Sequence, residues 1–108
     1  MSSYITFPVK VNTATIPLEV NFISQLSSGE AVTSVVVTAS VFAGVDATPS
    51  SVISGTASLS QNTATQIVTA GTPGVIYLLA WAATTNLGNN LIIYGYLSVL
   101  NSTPFVAI

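Results

Sequence analysis

Four side chains carry formal charge at neutral pH: Lys10, Glu19, Glu30 and Asp46. Any acid–base chemistry must start from them. The chain has no His and no Cys, which removes the commonest general base and every thiolate metal ligand. The carboxylates lie on three different segments with no DxD or ExxH spacing, so the pattern does not encode a paired-carboxylate hydrolase. Glu30 and Asp46 read as solvated turn residues, Glu19 as an edge charge and Lys10 as a lone surface cation. Ser and Thr are plentiful, but none has a Lys- or His-based activator, and GxSxG is absent. The AGTPG segment (70–74) is followed neither by a helix nor by Lys–Ser/Thr, which makes it a turn and not a phosphate loop. Trp81, Tyr77, Tyr94 and Tyr96 offer aromatic faces of the kind that stack on sugars. At alternating strand positions, and with no convergent polar groups around them, core or interface roles suit them better. The expectation is a non-enzymatic chain with no cofactor, metal or small-molecule ligand.

The balance of residue types narrows the partners. Only 4% of the 108 residues are charged while 50% are hydrophobic, and the mean hydropathy is +0.75. About a quarter charged is usual, so this surface is built from Ser, Thr, Asn and Gln and gives copies little mutual repulsion. With one Lys and no Arg, there is no phosphate-tracking surface for nucleic acid and no polybasic segment for anionic lipid. The opening MSSYITFPVK lacks the basic and apolar regions of a secretory signal. Asn101–Ser102–Thr103 matches the glycosylation acceptor pattern and is read as chance on that ground.

Alternation defines the elements. In EAVTSVVVTASVFAG, Val35, Val37, Ala39 and Val41 face one way and Ser34, Val36, Thr38 and Ser40 the other. VISGTASLS continues the pattern through Val52 or Ile53, Gly55, Ala57 and Leu59, and ATQIVTA is a short strand closed by AGTPG. LEVNFIS places Leu18, Val20 and Phe22 on one face, while Pro8 and Pro17 suit an edge or an arm. The uncharged stretch from Val75 to Leu100 is too interrupted for a transmembrane helix of about 20 residues. TTNLGNN, with Gly88 free to take positive φ, splits it into a hairpin. About seven strands at regular spacing and almost no helix signals predict an all-β sandwich of two antiparallel sheets. The core is expected over 29–100, preceded by an N-terminal arm and first strand (1–28) and followed by a tail (101–108).

Both faces of the hairpin are apolar. Val75, Tyr77, Leu79 and Trp81 alternate with Ile76, Leu78, Ala80 and Ala82; Leu91, Ile93, Leu97 and Val99 alternate with Ile92, Tyr94, Tyr96 and Leu100. A sandwich strand needs only one apolar face, so the other must be covered by the chain's own arms, a partner or lipid. Edge guards are also scarce, which favours neighbouring copies as cover.

The segments GEAVTSVVVTAS, GVDATPSSVISGTASLS, ATQIVTAGTPGVIYLLAWAATTNLGN and LIIYGYLSVL together resemble a family of small tailed-bacteriophage virion proteins of the fiber–tail adaptor or neck/tail accessory type. The family's Gly-Glu-x-Ile/Val element matches Gly29, Glu30 and Val32, and its Pro-Ser turn matches Pro49 and Ser50. Its Gly-x-x-Gly-x-x-Tyr element matches Gly71, Gly74 and Tyr77, and its Phe-x-x-Lys arm matches Phe7 and Lys10. The acidic–aromatic pair usual before the Gly-Glu element is missing, with Asn21–Phe22 near its place. The resemblance covers about Phe7 to Leu100. It implies an immunoglobulin-like β-sandwich with extended terminal arms, no enzymatic role and a site made of protein surfaces.

The leading expectation is therefore a structural virion protein, assembled in the host cytoplasm. It would link tail, fibre, neck or capsid components and copies of itself through repeated interfaces. Tyr4, Ile5 and Phe7 at one end and Phe105, Val106 and Ile108 at the other are its candidate docking arms; equally, these segments close the chain's own sandwich. The alternatives are a membrane-active β-hairpin and a carbohydrate-binding or adhesin module.

Overall fold

Alternation between 32 and 43 yields the longest strand of the molecule. In the computed structural model, which describes residues 2–101, the strands are β1 (Ser2–Thr6), β2 (Lys10–Val11), β3 (Ile16–Asn21), β4 (Val32–Ala43), β5 (Ile53–Ser60), β6 (Thr63–Val68), β7 (Ile76–Thr85) and β8 (Asn90–Leu100). Short 3-10 turns occupy Ile23–Gln25 and Pro49–Val52. Two sheets pack as an all-β sandwich: a five-stranded sheet in the order β1-β8-β7-β4, with β2 also on β8, and a three-stranded sheet in the order β3-β6-β5. β4, β7 and β8, each 10 to 12 residues long, run side by side as the long strands of the large sheet.

The core lies between the sheets. Tyr77, Leu79, Trp81, Leu97 and Val99 from the large sheet meet Leu18, Val20, Ala64 and Val68 from the small one, joined by Phe22, just after β3, and Val52 of the second 3-10 turn. As expected, Leu18, Val20 and Phe22 share a buried face, and β4 turns Val35, Val37, Ala39 and Val41 inward. The β7–β8 hairpin divides as the alternation requires. Val75, Tyr77, Leu79, Trp81 and Ala83 are buried with Leu91, Ile93, Leu97 and Val99, while the intervening residues face outward.

Eight strands form among the described residues, in keeping with about seven; Pro8, with no N–H to donate, lies between β1 and β2 in the first edge segment. Several expectations change. The sheets are antiparallel except at this edge, where β1 and β2 run parallel to β8. A boundary near Ser28 has no counterpart in the packing, since Phe7, Leu18, Val20 and Phe22 belong to the same buried cluster as residues after it. In β5, Gly55 is exposed and does not continue the inner row. Between the pairs Ser54–Ile67 and Ser58–Thr65, three residues of β5 oppose Gln66 alone, a bulge with Gly55 at φ +71°.

Candidate functional site

The charged side chains form clips that hold the strands. Lys10, expected at the surface, is 1% exposed. Its ammonium donates to the carbonyls of Val11 (2.9 Å) and Ala70 (2.6 Å), joining β2 to the AGTPG turn 60 positions away. Burial disfavours the charged form and lowers its pKa. Glu30 is likewise buried and not solvated. One carboxylate oxygen accepts from the Ser27 N–H (3.0 Å) and hydroxyl (3.2 Å), the other from the Thr85 hydroxyl (2.6 Å) and the Asn89 amide (2.7 Å). This ties the turn before β4 to the tip of the β7–β8 hairpin. The Ser27 main-chain N–H, then Thr85 and Asn89, stabilise the anion and hold its pKa down at about 2.

Asp46, half-buried, forms the third clip at the opposite end. Its carboxylate accepts from the hydroxyl of Tyr77 (2.5 Å) and the N–H of Thr48 (2.8 Å), and the Tyr77 oxygen in turn accepts from the Thr72 N–H (2.7 Å). The hydrogen bond from Tyr77, then that from Thr48, lowers the Asp46 pKa. Desolvation, then the bond to Asp46, raises that of Tyr77. Glu19 points outward from the edge strand β3, as expected of an edge charge.

A pH prediction follows from the clip at Glu30. Its folded-state pKa lies below its unfolded value near 4.5, so the clip stabilises the fold fully above pH 4.5. That contribution declines as pH falls from 4.5 toward 2. Glu30→Gln should lower stability at neutral pH and flatten the pH dependence of the melting temperature in that window. An unchanged slope between pH 5 and pH 2 would show that Glu30 is not the group responsible.

The remaining surface feature is the outer face of the five-stranded sheet. Half-buried Ile76, Leu78 and Ala80 on β7 and Ile92, Tyr94 and Tyr96 on β8 lie side by side. Exposed Val36 (63%) and Phe42 (57%) on β4 flank them on one side and Tyr4 (61%) on β1 on the other. The aromatics form a connected strip. Tyr4 stacks on Tyr94 (centroids 5.0 Å apart) and Tyr96 (6.0 Å), and Phe42 meets Tyr96 edge-on at 4.8 Å. Hydroxyls of Ser34, Thr38, Ser40 and Thr84 border the patch, and no charged residue lies on it. Four strands spaced about 4.8 Å apart over roughly 25–30 Å of length give a face of about 500 Å2. That is near the upper end of what single domains leave exposed.

Sequence reasoning placed this face but not all of its members. Of the four aromatics of the sugar-stacking reading, Trp81 and Tyr77 are fully buried, so neither presents a ring to a ligand; Tyr94 and Tyr96 are on the outer face. Of the candidate arm residues, Tyr4 joins the aromatic strip and Ile5 is 37% exposed. Phe7 is buried against Trp81 (5.8 Å) in its own chain. Phe105, Val106 and Ile108 lie outside the described residues. Among the described residues no cluster of His, Cys, Asp or Glu has the makings of a metal site, and no helix is long and apolar enough to cross a membrane. The fold and this face define the chain as a β-sandwich domain with a large uncharged aromatic surface. No protein-family model, curated protein or solved structure matches it.

Proposed function

We propose that the chain is a non-enzymatic structural component of a tailed-bacteriophage particle, an adaptor built into tail, fibre or neck through repeated protein–protein interfaces. The observation that carries the assembly role is the outer face of the five-stranded sheet: apolar, aromatic, free of charge, and left half-buried to exposed by the chain's own described residues. An apolar centre with a hydroxyl border has the anatomy of a protein interface. Burying it stabilises association by about 25 cal/mol per Å2, offset by the cost of immobilising the partners.

The virion assignment rests on the family resemblance, and the immunoglobulin-like reading draws support from strand order. An immunoglobulin fold sets B, E and D strands against C, F and G; here β3, β6 and β5 oppose β4, β7 and β8, in the same order within each sheet. Tyr77, one residue into β7 and bonded to the Thr72 N–H, occupies the place of that fold's tyrosine corner. The family elements also fall on structural joints. Glu30 and Tyr77 anchor the clips, Lys10 ties down β2, and Pro49 opens a 3-10 turn.

The test is incorporation into particles. Purified virions carrying the wild-type chain should contain it in stoichiometric amount. Leu78→Lys, which puts a charge at the centre of the outer face, should fold with an unchanged circular dichroism spectrum yet be depleted from particles at least tenfold. A wild-type chain absent from virions removes the phage role. A Leu78→Lys chain incorporated normally removes the outer face as the interface. Release of dye from liposomes by the wild-type chain would favour the membrane-active alternative instead.

A further inference from the structure

The four edges of the two sheets are not guarded alike. On the small sheet, β3 carries exposed Pro17 and Glu19, both of which discourage strand addition. β5 is interrupted by its bulge, and the carbonyls of Ser54 and Gly55 accept from the buried Gln66 amide at 3.1 and 3.2 Å. On the large sheet, β1 is only five residues long and is followed by Pro8. The fourth edge, β4, is twelve residues long with neither proline nor charge. Its irregularities fall at its ends, between Val32 and Ser34 and between Val41 and Ala43. From Ser34 to Val41 it pairs residue for residue with β7 on one side and has no ladder partner on the other. Eight regular residues carry roughly 27 Å of alternating donors and acceptors on that side, which β5 and the Pro49–Val52 turn approach without pairing, so the strand can still template an added one.

The sequence of β4 fits a second copy of itself. In an antiparallel pairing centred on Thr38, Val35 stands opposite Val41 and Val37 opposite Ala39 on the inner side. On the outer side Ser34 stands opposite Phe42 and Val36 opposite Ser40. Apolar residues meet apolar residues on the core side, and no like charges oppose one another. Such a contact is isologous and closes at two copies. We propose that β4 is a docking edge for β4 of a second copy, joining two five-stranded sheets into one continuous sheet about a two-fold axis near Thr38. The two aromatic outer faces then lie on the same side of the joined sheet. Pairing of this kind occurs between free copies in solution and requires no virion partner, so it stands or falls separately from the particle role.

Sedimentation equilibrium of the full chain, with Thr38→Lys, Thr38→Glu and Leu78→Lys variants, tests it. The wild type should dimerise, and Leu78→Lys, altered only on the outer face, should dimerise as well. Each Thr38 variant alone should raise the dimer dissociation constant at least tenfold with an unchanged circular dichroism spectrum. Mixing Thr38→Lys with Thr38→Glu should restore dimers, since opposite charges then face each other across the axis. Amides within 34–41 should exchange more slowly as concentration rises. A wild type that remains monomeric throughout, Thr38 variants that associate like wild type, or a mixture that fails to re-pair would overturn the proposal. Loss of dimer in Leu78→Lys alone would assign the contact to the outer face and overturn it equally.

Discussion

Gly95→Ala should expel Phe7 from the core and lower the melting temperature by roughly 15–30 °C, as expected for a loss of about 3–5 kcal/mol. Gly95 lies in the middle of β8, opposite Ile5 of β1. A Cβ placed on it would stand 2.1 Å from Phe7 Cε2, 2.8 Å from Cζ and 2.9 Å from Cδ2. No side chain fits at those distances, so the ring must leave the notch and give up its contact with Trp81. The glycine is required by close approach of a neighbour, not by an unusual backbone angle. Because the methyl and the ring compete for one volume, their effects should not add. Phe7→Ala/Gly95→Ala should melt within a few degrees of Phe7→Ala, and limited proteolysis should cut all three variants near the N-terminus. Full additivity of the two single losses would show that Phe7 does not occupy this notch in solution. The same variants bear on the candidate docking arm. If the N-terminal segment also bridges copies, Gly95→Ala weakens association as well as stability.

What the sequence made legible was periodic. β4, β7 and β8 alternate over 10 to 12 residues, long enough for the inner and outer rows to be read directly, and TTNLGNN marks the reversal between the last two. The surplus apolar face was legible for the same reason, since it is the second row of the same alternation. The clips were not. Lys10 finds its acceptor 60 positions away, and Glu30 its partners 55 and 59 positions away. Whether a charged residue is solvated or buried depends on groups that only the folded topology brings to it. Gln66 was hidden likewise, a polar residue on the inner row of β6 whose amide serves the bulge carbonyls of β5. The N-terminal arm depends on Gly95, whose value as a notch appears only when β1 lies beside β8.

These long-range bonds connect composition to function. With Lys10 and Glu30 buried and Asp46 engaged by Tyr77 and Thr48, only Glu19 of the four charged side chains points freely outward. Charge that would ordinarily keep copies apart is spent inside the fold. A chain arranged in this way has little electrostatic barrier to packing against neighbours, in keeping with the assembly role proposed above.

Trp81→Ala should be the most damaging single substitution in the sheet core. Trp81 is fully buried on β7, with Val37 of β4 and Ile93 of β8 beside it in the ladder and Phe7 over its ring. Truncating it opens a cavity between the sheets and costs about 3–5 kcal/mol, a large share of the 5–15 kcal/mol that holds a typical domain together. Trp81→Phe should cost far less. The indole N–H has no hydrogen-bond partner among the described residues. Removing it recovers a desolvation penalty of about 1–3 kcal/mol that offsets much of the lost volume. As the chain's single tryptophan, it also reports directly: its emission should be blue-shifted in the native protein and move to the red on unfolding. Thermal melts of the three proteins should rank wild type and Trp81→Phe close together, with Trp81→Ala tens of degrees below. A Trp81→Ala chain that melts with the wild type but has lost binding to a glycan would reverse the assignment, making the residue part of a ligand platform and not of the core.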